Sequence, residues 1–191
     1  GNVNPSGKLP ISFEKKWEDS PAYGNYPGQN GHIRYAEAVF VGYRHFDKKE
    51  IEPQFPFGHG LSYTTFQYTN LRQSGDQLDE NSSVTFCVDI TNTGNWSGAE
   101  IVQLYTEPTE SPVPRPLKEL RRFARVELRP GETRTVEWTL TEADLRFFHP
   151  EDLRWTTEPG TVNVAIGASS RDIRLRTSLV NVRRKNSSCG K

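Results

Sequence analysis

Four carboxylates, Glu37, Asp47, Glu50 and Glu52, lie close together along the chain. Paired carboxylates perform acid–base and glycosyl-transfer chemistry when one is ionised and its neighbour is held protonated. These four are interleaved with lysines and other polar residues, the setting in which a carboxylate stays solvated and unperturbed, so surface roles are expected. His32, His45, His59 and His149 show neither His-x-x-x-His spacing nor a neighbouring Cys pair, and no metal or other cofactor is expected. Ser62, within Gly60-Leu61-Ser62-Tyr63, lacks the second glycine of a nucleophile elbow. Gly58-His59-Gly60 lacks the third glycine and following helix of a nucleotide-binding fingerprint. Cys87 falls in a strand-like run and Cys189 in a polar tail, which points to two free thiols rather than a bridge.

Composition narrows the partners. The 191 residues carry 24 Lys and Arg against 24 Asp and Glu. With no net field to draw the chain to nucleic acid or an anionic bilayer, neither is an expected partner. No apolar run approaches the roughly 20 residues of a membrane helix. The opening Gly1-Asn2-Val3-Asn4-Pro5 has no signal-peptide layout and the chain has no Met, so it reads as a processed or excised piece. Asn81, Asn95 and Asn186 each begin an Asn-x-Ser sequon in a turn-like or terminal segment, which makes them candidate N-glycosylation sites and lends support to a secreted protein.

The elements that must position these residues fall into three spans: an extended arm over residues 1–54, a sandwich over 55–183 and a polar tail over 184–191. In the arm, Lys8 to Phe13 alternates like one edge strand with a proline in it, and Tyr35 to Phe46 reads as extended chain lying on another surface. Beyond Gly60 the pattern becomes short period-two runs between turn residues, the mark of an all-β sandwich of about seven to eight strands. Val84, Phe86, Val88 and Ile90 give one inward face. Val102 and Leu104 oppose Ile101 and Tyr105 on a strand expected to be covered on both sides. Ala124, Val126 and Leu128 run into Arg129-Pro130-Gly131-Glu132, and Val136, Trp138 and Leu140 return as a hairpin. Leu145, Phe147 and Phe148 lead into a loop around Pro150, and Val162, Val164 and Ile166 form a later inward face.

Two blocks, Tyr35-Ala36-Glu37-Ala38-Val39-Phe40-Val41-Gly42-Tyr43-Arg44 and Phe55-Pro56-Phe57-Gly58-His59-Gly60-Leu61-Ser62-Tyr63-Thr64-Thr65-Phe66, resemble segments near the end of family 3 glycoside hydrolases. Further blocks agree in order, among them Thr91-Asn92-Thr93-Gly94, Val102-Gln103-Leu104-Tyr105, Pro116 to Leu120 and Phe123. The resemblance implies a fibronectin type III-like (immunoglobulin-like) sandwich, with Asn2 to Phe13 as the last strand of a preceding α/β domain. It implies a secreted, retaining β-glucosidase as parent, with β-xylosidase as the alternative. The nucleophilic Asp and acid/base Glu of that family lie on upstream domains, so the chain is expected to be non-catalytic. Its partners are then the parent's catalytic domains, with Phe55, Phe57, Leu61 and Tyr63 as docking residues or, equally, internal core. A second reading is an accessory module that binds a polysaccharide or lignin surface through Trp96, Trp155, Tyr23 and Tyr26. Ala38 stands where the family usually has Gly, so a left-handed backbone is not expected there.

Overall fold

The alternating runs form strands in the computed structural model, which describes residues 1–182. Ten strands are present there: β1 Phe66–Gln73, β2 Gln77–Leu78, β3 Ser83–Asn92, β4 Gly98–Pro108, β5 Glu119–Leu128, β6 Thr133–Thr141, β7 Phe147–His149, β8 Arg154–Thr156, β9 Gly160–Gly167 and β10 Ile173–Asn181. One sheet has the order β1-β3-β6; the other has the order β2-β10-β9-β4-β5; and β7-β8 form a separate hairpin. Neighbours are antiparallel except β2 and β10, which run parallel.

Period-two alternation sends every second side chain of a strand to the same face, so the two sheets close over one apolar layer. Val84, Phe86, Val88 and Ile90 are all buried on β3, and across β6 Phe86 faces Trp138 while Val88 faces Val136. Val102, Leu104, Val164, Ile166 and Leu179 supply the opposite wall. Asn92, at the end of β3, is a fully buried polar side chain. It donates to the carbonyls of Trp96 (2.7 Å) and Leu128 (3.0 Å), and accepts from Thr64 Oγ1 (2.5 Å) and Gly94 N (3.1 Å). A buried amide with all its bonds made ties both sheets to the incoming chain without a desolvation penalty.

The outer faces differ. On the three-stranded sheet Thr85 pairs with Thr139 (3.0 Å), Thr91 with Thr133 (2.8 Å), and Thr135 donates to Asp89 (2.7 Å), a polar surface suited to water. On the five-stranded sheet Gln103 and Tyr105 are buried although they point away from the core, so β4 is covered on both sides as its sequence suggests. The cover is the chain before residue 66.

Four expectations change. Tyr35 to Phe46 is not simply extended: Tyr43–Lys48 forms a one-and-a-half-turn helix, α1, with Phe46 buried and Asp47 paired to Lys118 and Arg171 of the sandwich. Lys8 to Phe13 makes a single bridge, Phe13 with Phe55, instead of a strand. The loop around Pro150 is the turn of a hairpin whose flanking residues pair as β7-β8, which with the two-residue β2 raises the strand count to ten. Ala38 does adopt a positive φ of 48°, so the left-handed backbone persists without glycine.

Candidate docking surface

An interface needs apolar side chains that their own domain leaves uncovered, on backbone already fixed in place so that little ordering entropy is lost on contact. Residues 54–65 meet the second condition. Ser170 N donates to the carbonyl of Phe57 (2.9 Å), and Gln103 Nε2 bridges the carbonyls of Ala168 (2.9 Å) and Gly58 (3.5 Å). Gly58 has φ +80°, and a Cβ there would lie 2.4 Å from Gln103 Oε1, so only glycine allows this approach. The segment is clamped on its other side by the start of the chain. Leu9 N donates to His59 O, Gly58 N to Leu9 O, and Phe13 N to Phe55 O, each at 2.8 Å. The Asn4 side chain accepts from Ser62 Oγ (3.0 Å) and Tyr63 N (2.9 Å) while donating to Ser97 O (3.0 Å). Lys8 and Glu100 form a largely buried ion pair at 2.9 Å.

Charge fixes the helical part of the arm. Asp47 on α1 is buried between Lys118 Nζ (3.4 Å) and Arg171 Nε (3.1 Å), and Lys118 also donates to Ser170 O (2.8 Å). One carboxylate therefore joins the arm, the β4–β5 connection and the β9–β10 turn. Loss of water at Asp47 outweighs the attraction of both cations and holds its pKa above the usual carboxylate range. Tyr43 Oη accepts from Leu120 N (2.9 Å), and its ring packs on Phe57 and Tyr105.

On this scaffold Phe55 is 43%, Tyr63 57% and Leu61 74% exposed. Phe57 differs: it is half-buried with its ring centroid 5.0 Å from that of Tyr43, packed within the chain. Two further rings belong with the exposed set. Phe13 meets Phe55 edge to face at 6.3 Å, and Phe123, opposite Gln103 in the β4–β5 register, is 68% exposed. The sequence carried a signal for Phe123, since it is out of phase with the inward Ala124, Val126 and Leu128.

The rings considered for polymer stacking sit on separate elements: Trp96 in the β3–β4 turn, Trp155 on β8, and Tyr23 and Tyr26 in the arm. Tyr23 packs edge-on against Trp17, and Trp155 against Phe148 at 6.0 Å. Trp155 is 67% exposed. Asn81 and Asn95 are exposed in turns; Asn186 and Cys189 lie outside the described residues. The Cys87 thiol is 3.6 Å from a Glu137 carboxylate oxygen.

Of the four carboxylates expected to be solvated, Glu50 and Glu52 are exposed and Glu37 is half-buried, but Asp47 is buried, because the arm folds it onto the sandwich against two cations. Asp47 faces two cations, and Glu52 pairs with the same Arg171 at 3.8 Å. A hollow of about 520 Å³ beside Asn2 to Ser6 does contain Glu127 and Glu132, but each is paired with an arginine, and bonds from Arg129 N and Arg134 lower the Glu132 pKa. The lowered carboxyl of Glu132 does not suit the protonated member of a glycosidase pair. Among the described residues no group of three or more His, Cys, Asp or Glu is placed to hold a metal ion, and no helix is long and apolar enough to cross a membrane.

Residues 100–170 match the fibronectin type III-like domain family. Thermostable β-glucosidase B of Acetivibrio thermocellus is 45% identical over 179 residues, covering 94% of this chain and 24% of that protein. β-Glucosidase BoGH3A of Bacteroides ovatus is 43% identical, covering 91% of this chain and 24% of that protein. Among solved structures, the GH3 β-glucosidase of Bifidobacterium adolescentis superposes with a TM-score of 0.89 at 34% identity, over 98% of this chain and 28% of that one. A β-glucosidase of Kluyveromyces marxianus gives 0.88 at 38% identity, over 96% and 21%. The chain thus spans about a quarter of the length of these relatives.

Proposed function

We propose, from its match to the C-terminal, fibronectin type III-like region of family 3 β-glucosidases, that the chain is a non-catalytic brace that docks on the catalytic domains of a secreted β-glucosidase. The observation that carries this reading is the contrast between the two outer sheet faces. One is a self-paired threonine surface. The other is wrapped by an arm that is bonded in place yet leaves Phe13, Phe55, Leu61, Tyr63 and Phe123 in water. Apolar side chains held this firmly and left open fit a partner surface better than solvent.

On this reading hydrolysis of terminal β-D-glucosyl residues, in cellulose or β-glucan breakdown, belongs to the parent, with β-xyloside cleavage as the alternative specificity. Purified chain, free of contaminating hydrolase, is expected to release no aglycone from an aryl β-glucoside. Turnover at enzyme-like rates would overturn the non-catalytic assignment. Secretion of the parent and glycans at Asn81 and Asn95 are part of the same proposal, and treatment of the secreted protein with an endoglycosidase should lower its mass.

Trp155 supports a second reading, a polymer-binding module, because its ring is exposed on the separate β7–β8 hairpin. A pull-down on cellulose or lignin decides it: binding that Trp155→Ala abolishes would favour this reading, and no retention would remove it.

A further inference from the structure

Asn30 and Gly31 form the two-residue tip of a small reverse turn in the arm, closed by Gln29 N to His32 O and His32 N to Gln29 O, both at 2.9 Å. Both tip residues have positive φ, 51° and 77°, the conformation that Asn-Gly favours at such tips. The pair has a second chemical property. When the residue after an asparagine is glycine, the next backbone nitrogen meets no side chain as it approaches the asparagine Cγ.

We propose that Asn30 is a site of spontaneous deamidation and backbone isomerisation. Gly31 N attacks Asn30 Cγ, forming a C–N bond as the Cγ–Nδ2 bond breaks; the Gly31 amide proton leaves with the nitrogen as ammonia. The resulting five-membered imide is opened by water at either carbonyl, giving aspartate or isoaspartate. No oxidant or reductant is involved.

The structure distinguishes Asn30 from Asn81, Asn92 and Asn181, and none of the other asparagines is followed by glycine. Asn30 and Gly31 are exposed, neither the Asn30 amide nor Gly31 N makes a hydrogen bond, and nothing lies within 4 Å of the position a Gly31 Cβ would occupy. Asn81 is followed by Ser82, whose N–H is held by Asp79 O at 3.3 Å. Asn92 and Asn181 are buried with their amides donating to carbonyls, that of Asn181 to Glu158 at 2.6 Å. Asn30 also lines a polar hollow of about 620 Å³ with Gln29, His32 and Arg34. Deamidation places a new negative charge among these groups, and isoaspartate adds a methylene to the backbone of the turn.

The test is peptide mapping by mass spectrometry after prolonged incubation of the whole chain in mildly alkaline buffer. The expected result is a gain equal to replacement of NH2 by OH, confined to the tryptic peptide Trp17 to Arg34, which splits chromatographically into aspartyl and isoaspartyl forms. Gly31→Ala should slow the gain by an order of magnitude or more. Because alanine is strained at a positive φ, Asn30→Gln is the second variant, and it should remove the gain from that peptide while the fold persists. Deamidation appearing first at Asn81, or no change at Asn30 by the time other asparagines have reacted, would overturn the assignment.

Discussion

Two aspartates show how placement decides what a carboxylate does. Asp47 is buried, and its pKa is raised by lost hydration despite Lys118 and Arg171. Asp89, on the threonine face, accepts from Arg72, Thr135 and Asn70, and these bonds hold it far below the ordinary range. For Asp47 the folded state binds the proton more tightly than the unfolded chain. Its contribution to stability is therefore complete below the ordinary carboxylate value and is lost as pH rises through the raised one. For Asp89 the contribution is complete above the ordinary value and is lost as pH falls through the lowered one. Chemical unfolding of Asp47→Asn and Asp89→Asn across acidic to neutral pH should give opposite slopes. Variant-minus-native stability rises with pH for the first and falls for the second, and parallel slopes would contradict the assignment. Trp138 sets the scale for packing. It is buried opposite Phe86 with its Nε1 unpaired, so Trp138→Ala should cost about 3–5 kcal/mol in a denaturant titration. Trp138→Phe, which deletes the unpaired donor and keeps a ring, should cost less.

At the scale of elements, the arm is held by local clamps rather than by a core of its own. Gly58→Ala forces a Cβ into Gln103 at a backbone angle that costs about 1–3 kcal/mol for a non-glycine residue. The expected outcome is faster proteolytic cleavage within the arm before the sandwich opens, and equal acceleration in both would contradict a separately clamped arm. The strands β3, β6, β4 and β9 were legible because one buried face imposes period two on the sequence. The arm was not, because what orders it is long-range and polar: Asp47 with Arg171, Tyr43 with Leu120, Asn4 with Ser62 and Ser97. No periodicity announces such pairs. The β7–β8 hairpin escaped notice for a related reason, since a three-residue strand is too short to show alternation. Of the four docking residues read from the sequence, Phe55, Leu61 and Tyr63 stand open and Phe57 turns inward, a difference set by the neighbouring Tyr43 ring.

For the whole molecule, one side is finished and the other is not. The threonine face satisfies its own hydroxyls, while the arm face presents rings and aliphatic groups on fixed backbone. The direct measurement is activity recovered when this chain is added to a β-glucosidase truncated of the corresponding C-terminal region, with both pieces shown to be folded. Docking predicts saturable recovery of activity or solubility, reduced by Leu61→Asp combined with Phe123→Asp. No recovery at saturating chain, or recovery indifferent to those two substitutions, would contradict it.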